Sequence, residues 1–296
     1  MRRKRRATKS ERKPPLRRAW FSAARPRLRR TAVVVGVVAS VVSLLAGGWM
    51  AFGRLDAHVD RLLLRDRPDP VVEFVDLPKE LVTLANYDLH SSLFDLLGRE
   101  WTDDRLCGEM ATRIARVGWV ARVNFVRRTG GGRFEISCRY RLPAALVEQG
   151  DRFFLADAEG VRLPGVYVHN PAWRLIEGVS KPAPPPGVRW DGDDLRAGLA
   201  VLAAVQREPF GRQIVGVVVD NFGGRRDPRT CQIELMTDRA DGRIRWGSAP
   251  GSELEENGVQ QKLVLLRENF RKTGRVDAQH AVIDVSTFPD RYTIPG

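Results

Sequence analysis

The chain has 296 residues, 43% of them hydrophobic and 29% charged, a composition that suits globular folding and excludes general disorder. Its formal net charge of +13 is concentrated in residues 1–30, where 14 Lys and Arg stand against a single acid, Glu11. The rest is neutral overall, so the body of the chain lacks the basic footprint of a nucleic-acid binder, and nucleic acid is not an expected partner.

In chain order, residues 1–30 read as a basic cytoplasmic tail. A like-charge run of this kind is solvated, and it attracts anionic lipid at about 1 kcal/mol per well-placed Lys or Arg, which makes membrane lipid an expected partner. Residues 31–52, "TAVVVGVVASVVSLLAGGWMAF", carry no charge. As a helix they would reach roughly 33 Å, enough to cross a hydrocarbon core of about 30 Å. The expectation is a single transmembrane helix, and the positive-inside rule then puts the tail in the cytoplasm and everything after Phe52 outside it. A cleaved signal peptide fits less well, because its apolar region is usually about 7–15 residues. Leu55, Val59, Leu62 and Leu63 continue a helical spacing until Pro68 and Pro70 break it, so residues 53–70 read as a juxtamembrane helix and linker.

"VVEFVDLP" (71–78) is a β-branched run and reads as a strand. Residues 87–97 read as a short helix closed by Gly98. A second helix is expected from Asp103 to Val117, with Thr102 as its N-cap and Leu106, Met110, Ile114 and Val117 as its apolar stripe. The period then changes to two. Ala121, Val123 and Phe125 share one face. After the turn "TGGG", Phe134, Ile136, Cys138, Tyr140 and Leu142 point one way, and Arg133, Glu135, Ser137, Arg139 and Arg141 the other. The order β-α-α-β-β puts two helices on one face of a small sheet. "FFLADAEGV" (153–161) reads as a strand, Phe153–Leu155, entering a second sheet and followed by a turn. Asp157 and Glu159 are expected to keep that bend in water, and Gly160 to supply a positive φ. "KPAPPPG" (181–187) is an exposed loop. Residues 194–206 and 254–272 are helical, the latter stopped by Gly274. Strands are expected at 213–220, 231–237, 243–247, 281–286 and 291–294.

Candidate chemistry is sparse. His58, His90, His169 and His280 are scattered, and no paired metal-ligand spacing or nucleophile elbow occurs. "TGGGR" lacks the G-K-[ST] ending of a phosphate loop. "DGDD" (191–194) reads as an acidic helix start matched to the dipole. Cys107, Cys138 and Cys231 form no C-x-x-C pair; an extracytoplasmic disulfide and buried inert thiols both fit. No catalytic residue, cofactor or metal is expected.

The segment "RFEISCRYRLPAALVEQGDRFFLADAEGVRLP" resembles the FtsQ/DivIB cell-division family. That family has an R-x-P-x-A segment, here Arg141, Pro143 and Ala145, followed by a hairpin whose counterparts are Leu155, Asp157 and Gly160. The family's layout is also similar: basic tail, membrane span, POTRA domain, β domain. "VIDV" (282–285) stands where the family has I-D-L-R, and Ser286 follows without the family's Arg. The resemblance implies an α+β protein with a single N-terminal transmembrane helix, a POTRA-like β-α-α-β-β module at 71–147 and a mixed β-sheet domain with flanking helices at 148–296. It implies a non-enzymatic scaffold of the division machinery, anchored in the inner membrane at the division site. The implied partners are divisome membrane proteins, small single-pass coiled-coil proteins held at the terminal strands. Val282, Asp284, Ser286, Tyr292 and Ile294 are the expected partner-binding residues. Two rivals are a POTRA-bearing membrane protein of a secretion or transport assembly and an extracytoplasmic enzyme with an unrecognised site.

Overall fold

The computed structural model describes residues 36, 40–51, 54–55, 70–100 and 103–287. The chain divides into two compact units, Met1–Pro68 and Asp69–Gly296. In the first unit residues 40–51 are helical. Among the described residues no helix is long and apolar enough to cross a membrane. This finding overturns the transmembrane helix expected over 31–52. With it goes the single-pass inner-membrane placement, with a cytoplasmic N-terminus and extracytoplasmic C-terminal domains at the division site. The basic tail, residues 31–35, 37–39 and 52–53, and the juxtamembrane stretch 56–69 lie outside the described residues.

The second unit is α+β with two mixed sheets. Its first part contains β1 (Val71–Phe74), α1 (Lys79–Ser91), α2 (Phe94–Leu97), α3 (Leu106–Ile114), β2 (Val120–Thr129) and β3 (Arg133–Tyr140). β3 lies in the middle of a three-stranded sheet, parallel to β1 and antiparallel to β2. The strand expected to reach Pro78 stops at Phe74, and Pro78, with φ −61°, instead stands at the N-cap of α1. That ring presets the φ a helix needs and spares an N–H that would have no intrahelical partner. The helix expected at 87–97 therefore starts at Lys79, burying Leu81, Ala85 and Leu89. α3 buries Leu106, Met110 and Ile114 as expected; Arg105 stands at its N-cap, and Thr102 lies outside the described residues.

The period-two reading fails on β2. Register shifts between Val120 and Arg122 and between Val123 and Phe125 mark bulges. Each extra residue flips the alternation, so Val123 and Val126 pack on the core while Ala121 and Phe125 are exposed. On β3, Phe134, Ile136 and Cys138 are buried as expected. Ser137, expected to face solvent, is buried as well: Asn124 Nδ2 donates to its Oγ at 3.1 Å, and that hydroxyl donates to Asp76.

A seven-stranded sheet follows, built from β4 (Pro143–Gln149), β5 (Arg152–Asp157), β6 (Leu175–Glu177), β7 (Ile214–Val218), β8 (Ile233–Thr237), β9 (Arg243–Gly247) and β10 (Val282–Asp284). Their order is β10-β9-β8-β7-β6-β4-β5. The boundary expected at 147/148 falls inside β4. α4 (Asp193–Val205) and α5 (Val259–Thr273) pack on one face. Leu195, Leu199 and Leu202 of α4 and Leu263 and Leu266 of α5 share a core with Ile176, Val217, Leu235, Ile244 and Ile283. Gly274, with φ 72°, ends α5 in the left-handed region, as expected of a C-cap glycine. On the other face Leu146, Leu155, Leu175 and Met236 join the core of α1–α3. One apolar layer therefore links the small sheet's helices to the large sheet.

Candidate functional site

β10 is the outermost described strand on one side of the large sheet. It runs parallel to β9, with Val282 opposite Arg243, Ile283 opposite Ile244 and Asp284 opposite Arg245. Arg243 N donates to Ala281 O at 2.7 Å, and Val285 N donates to Arg245 O at 3.1 Å. Residues 281, 283 and 285 therefore turn their backbone toward β9. Strand alternation directs the N–H and C=O groups of Val282 and Asp284 outward, and no described strand pairs with that side. The opposite edge is covered. β5 is bridged on its outer side through Phe153 to Tyr167 and through Ala156 to Arg162.

The side chains of the edge follow the same alternation. Ile283 and Val285 are fully buried in the core against α5, whereas Val282 and Asp284 are half-buried on the sheet's other face. Beyond Asp284 the chain is fastened from outside the sheet. Asn257 N donates to Ser286 O at 2.8 Å, and its Nδ2 donates to Val285 O at 3.0 Å and Thr287 O at 2.9 Å. Ser286 N and Oγ donate to Asp284 Oδ1 at 2.9 and 2.7 Å. Of the five expected partner-binding residues, Val282 and Asp284 lie on the open edge. Ser286 is buried behind it and holds the Asp284 carboxylate. Tyr292 and Ile294 lie outside the described residues.

The support under this corner is charged. Glu256 accepts from Ser248 N at 2.9 Å and Ser248 Oγ at 3.1 Å, and pairs with Lys262 at 3.1 Å. The Lys262 ammonium is buried, 5.2 Å from the centre of the Trp246 ring. Gly247, with φ 95°, lets these pieces meet: a Cβ there would collide with the Glu256 carboxylate and with Ser286. The helical reading of 254–272 gives Glu256, Asn257 and Lys262 no role, and the helix itself starts only at Val259. "ENG" reads there as part of a helix start, and nothing local shows that Asn257 reaches a strand 28 residues downstream.

The hairpin acids differ from expectation. Asp157 is not in water. It is buried, accepts from Glu159 N at 2.9 Å and Val161 N at 2.8 Å, and pairs with Arg141 at 2.8 Å. Arg141 and Asp157, both among the residues that carry the family resemblance, are thus direct partners where the small sheet's last strand leads into the large sheet. Glu159 is exposed, and Gly160 has the expected positive φ, 77°.

Among the described residues no group of three His, Cys, Asp or Glu side chains is placed to hold a metal ion. All three cysteines are free thiols. Burial pushes Cys138 and Cys231 up to about 11, so both stay protonated and poorly nucleophilic at neutral pH. What the site offers is main-chain pairing along an edge. No protein-family model matches the chain, and no curated protein matches it.

Proposed function

We propose that this protein is a non-enzymatic scaffold of the cell-division machinery, of the FtsQ/DivIB type, that recruits and links its partners during septum formation. The reading concerns the folded region from Pro70 onward. The observation that carries it is the edge of β10, where Val282 and Asp284 direct backbone donors and acceptors away from the sheet. An exposed edge of this kind accepts an extended segment of another chain as an added strand. The proposed partners are small single-pass coiled-coil division proteins, each contributing such a segment. The fixing of residues 285–287 by Asn257 supports the reading, because an edge held rigid loses less conformational freedom when a strand is added. The R-x-P-x-A segment and its paired hairpin carry the likeness to the family.

Affinity capture from the source cell with the intact chain as bait tests this. Small coiled-coil division proteins are expected in the eluate and are expected to be lost when residues 281–296 are removed. Depletion of the protein is expected to give cells that elongate without septa. Capture that persists without 281–296 would overturn the edge assignment, and normal septation after depletion would overturn the division role.

A further inference from the structure

A second feature of the large sheet lies on its face rather than its edge. Opposite α4 and α5, the small module covers this face at Leu155, Leu146 and Leu175. Next to that covered part lies a cavity of about 510 Å³, within the range of about 300–1,000 Å³ typical of ligand pockets. Trp173, Leu175, Val215 and Met236 line it with apolar surface. Leu175, Gly216, Met236 and Arg243 lie in one cross-strand row. A Cβ on Gly216 would collide with the Met236 methyl and the Leu175 carbonyl, so the glycine allows Met236 to lie across β7 as the floor.

The rim is polarised. Glu177 stands two residues along β6 from Leu175, about 7 Å away. Its half-buried carboxylate makes neither a hydrogen bond nor an ion pair among the described residues. Glu148, one strand over on β4, also has no ion pair among the described residues. Burial, then Glu148 and Asp220, raise the proton affinity of Glu177, against the opposing pull of Arg243 and His169. Arg239 and Arg243 line the cavity toward β8 and β9. A half-buried carboxylate with no ion pair among the described residues is a cost to the free protein that a bound cation would relieve.

We propose that this cavity docks a partner polypeptide segment of bipolar character. An aliphatic or aromatic side chain rests on Met236, a Lys or Arg two residues away meets Glu177, and an acid on the other side meets Arg243. Side chains at i and i+2 of an extended segment are about 7 Å apart on one face, which matches the Leu175–Glu177 spacing. The inference goes beyond strand addition at β10 and does not depend on it.

The test uses the intact chain labelled at its methionine methyl groups. There are four methionines, Met1, Met50, Met110 and Met236. Met236 reports on the cavity, and Met110, fully buried on α3, is the internal control. The probe is the peptide acetyl-Arg-Ser-Leu-Ser-Glu-amide, and the comparison is acetyl-Glu-Ser-Leu-Ser-Glu-amide. The first is expected to shift the Met236 methyl saturably at low-millimolar concentration and to leave Met110 unmoved. The second is expected to bind at least about fivefold more weakly, as is the first peptide to Glu177→Gln. Val215→Trp, which fills the cavity, is expected to abolish the response. No Met236 shift, or equal shifts with both peptides, would overturn the proposal. So would a response seen only after residues 288–296 are removed, since the chain's own C-terminal segment would then be the occupant.

Discussion

Asp194 is almost wholly inaccessible, yet its neighbours keep it charged. Burial pushes the carboxyl up. The Ser180 hydroxyl, the Arg225 guanidinium and the N–H groups of Ser180 and Leu195 outweigh that push and hold it below the usual carboxylate range. A depressed carboxyl contributes stability that is present above its unfolded value of about 3.9 and is lost as pH falls through the folded value. Asp194→Ala is therefore expected to lower unfolding free energy by about 2–4 kcal/mol at pH 7. The gap to the parent chain should close as pH falls below about 4, measured by urea denaturation across pH. Glu177 has the opposite sign. Its raised proton affinity, from burial first and Glu148 next, adds stability below its unfolded value of about 4.3 and removes it as pH rises through the folded value. Glu177→Gln is expected to raise stability by about 0.5–1 kcal/mol at pH 7 and by less in acid. Loss of stability at pH 7 would mean that the carboxylate is needed by the fold.

At the level of elements, what could be read from the sequence was what a single period encodes. The stripes of α3, α4 and α5 face the core because large apolar residues at helical spacing leave little choice of side, and Gly274 ends α5 because only a residue tolerant of positive φ fits there. Three features were not legible, each because it depends on a partner distant in sequence. Bulges in β2 turned Phe125 out and Val126 in, and no local residue announces them. Ser137 is buried because Asp76, 61 residues earlier, accepts a hydrogen bond from its hydroxyl. β10 is fixed by Asn257, whose value lies entirely in bonds made beyond Asp284. Asn257→Ala removes two side-chain donors to Val285 and Thr287. It is expected to cost about 1–3 kcal/mol and to speed amide exchange in β10 more than in β8. If β10 guides an added strand, partner capture should weaken in step. Unchanged exchange in β10 would show that Ile283 and Val285, by their burial alone, hold the strand.

The arrangement of the whole second unit follows from how its two sheets share apolar surface. α1–α3 cover one side of the small sheet, and the same core continues through Leu146, Leu155 and Leu175 to the far face of the large sheet. Arg141 and Asp157 form a buried ion pair at the passage between them. A hinge between independently folding halves would carry polar, solvated contacts instead. The sheets are therefore expected to unfold together. Leu155→Ala opens space in the shared layer and, for a fully buried leucine, is expected to cost about 2–5 kcal/mol. The decisive readout is where that loss appears. Amide exchange in β3 and in β8 should accelerate by the same factor, because a single cooperative opening exposes both. Acceleration in β8 alone, with β3 protected as in the parent chain, would mean two separate folding units in which Leu155 belongs only to the large sheet. The open face and the edge of β10 would then be held by the large sheet's own helices, without help from the small module.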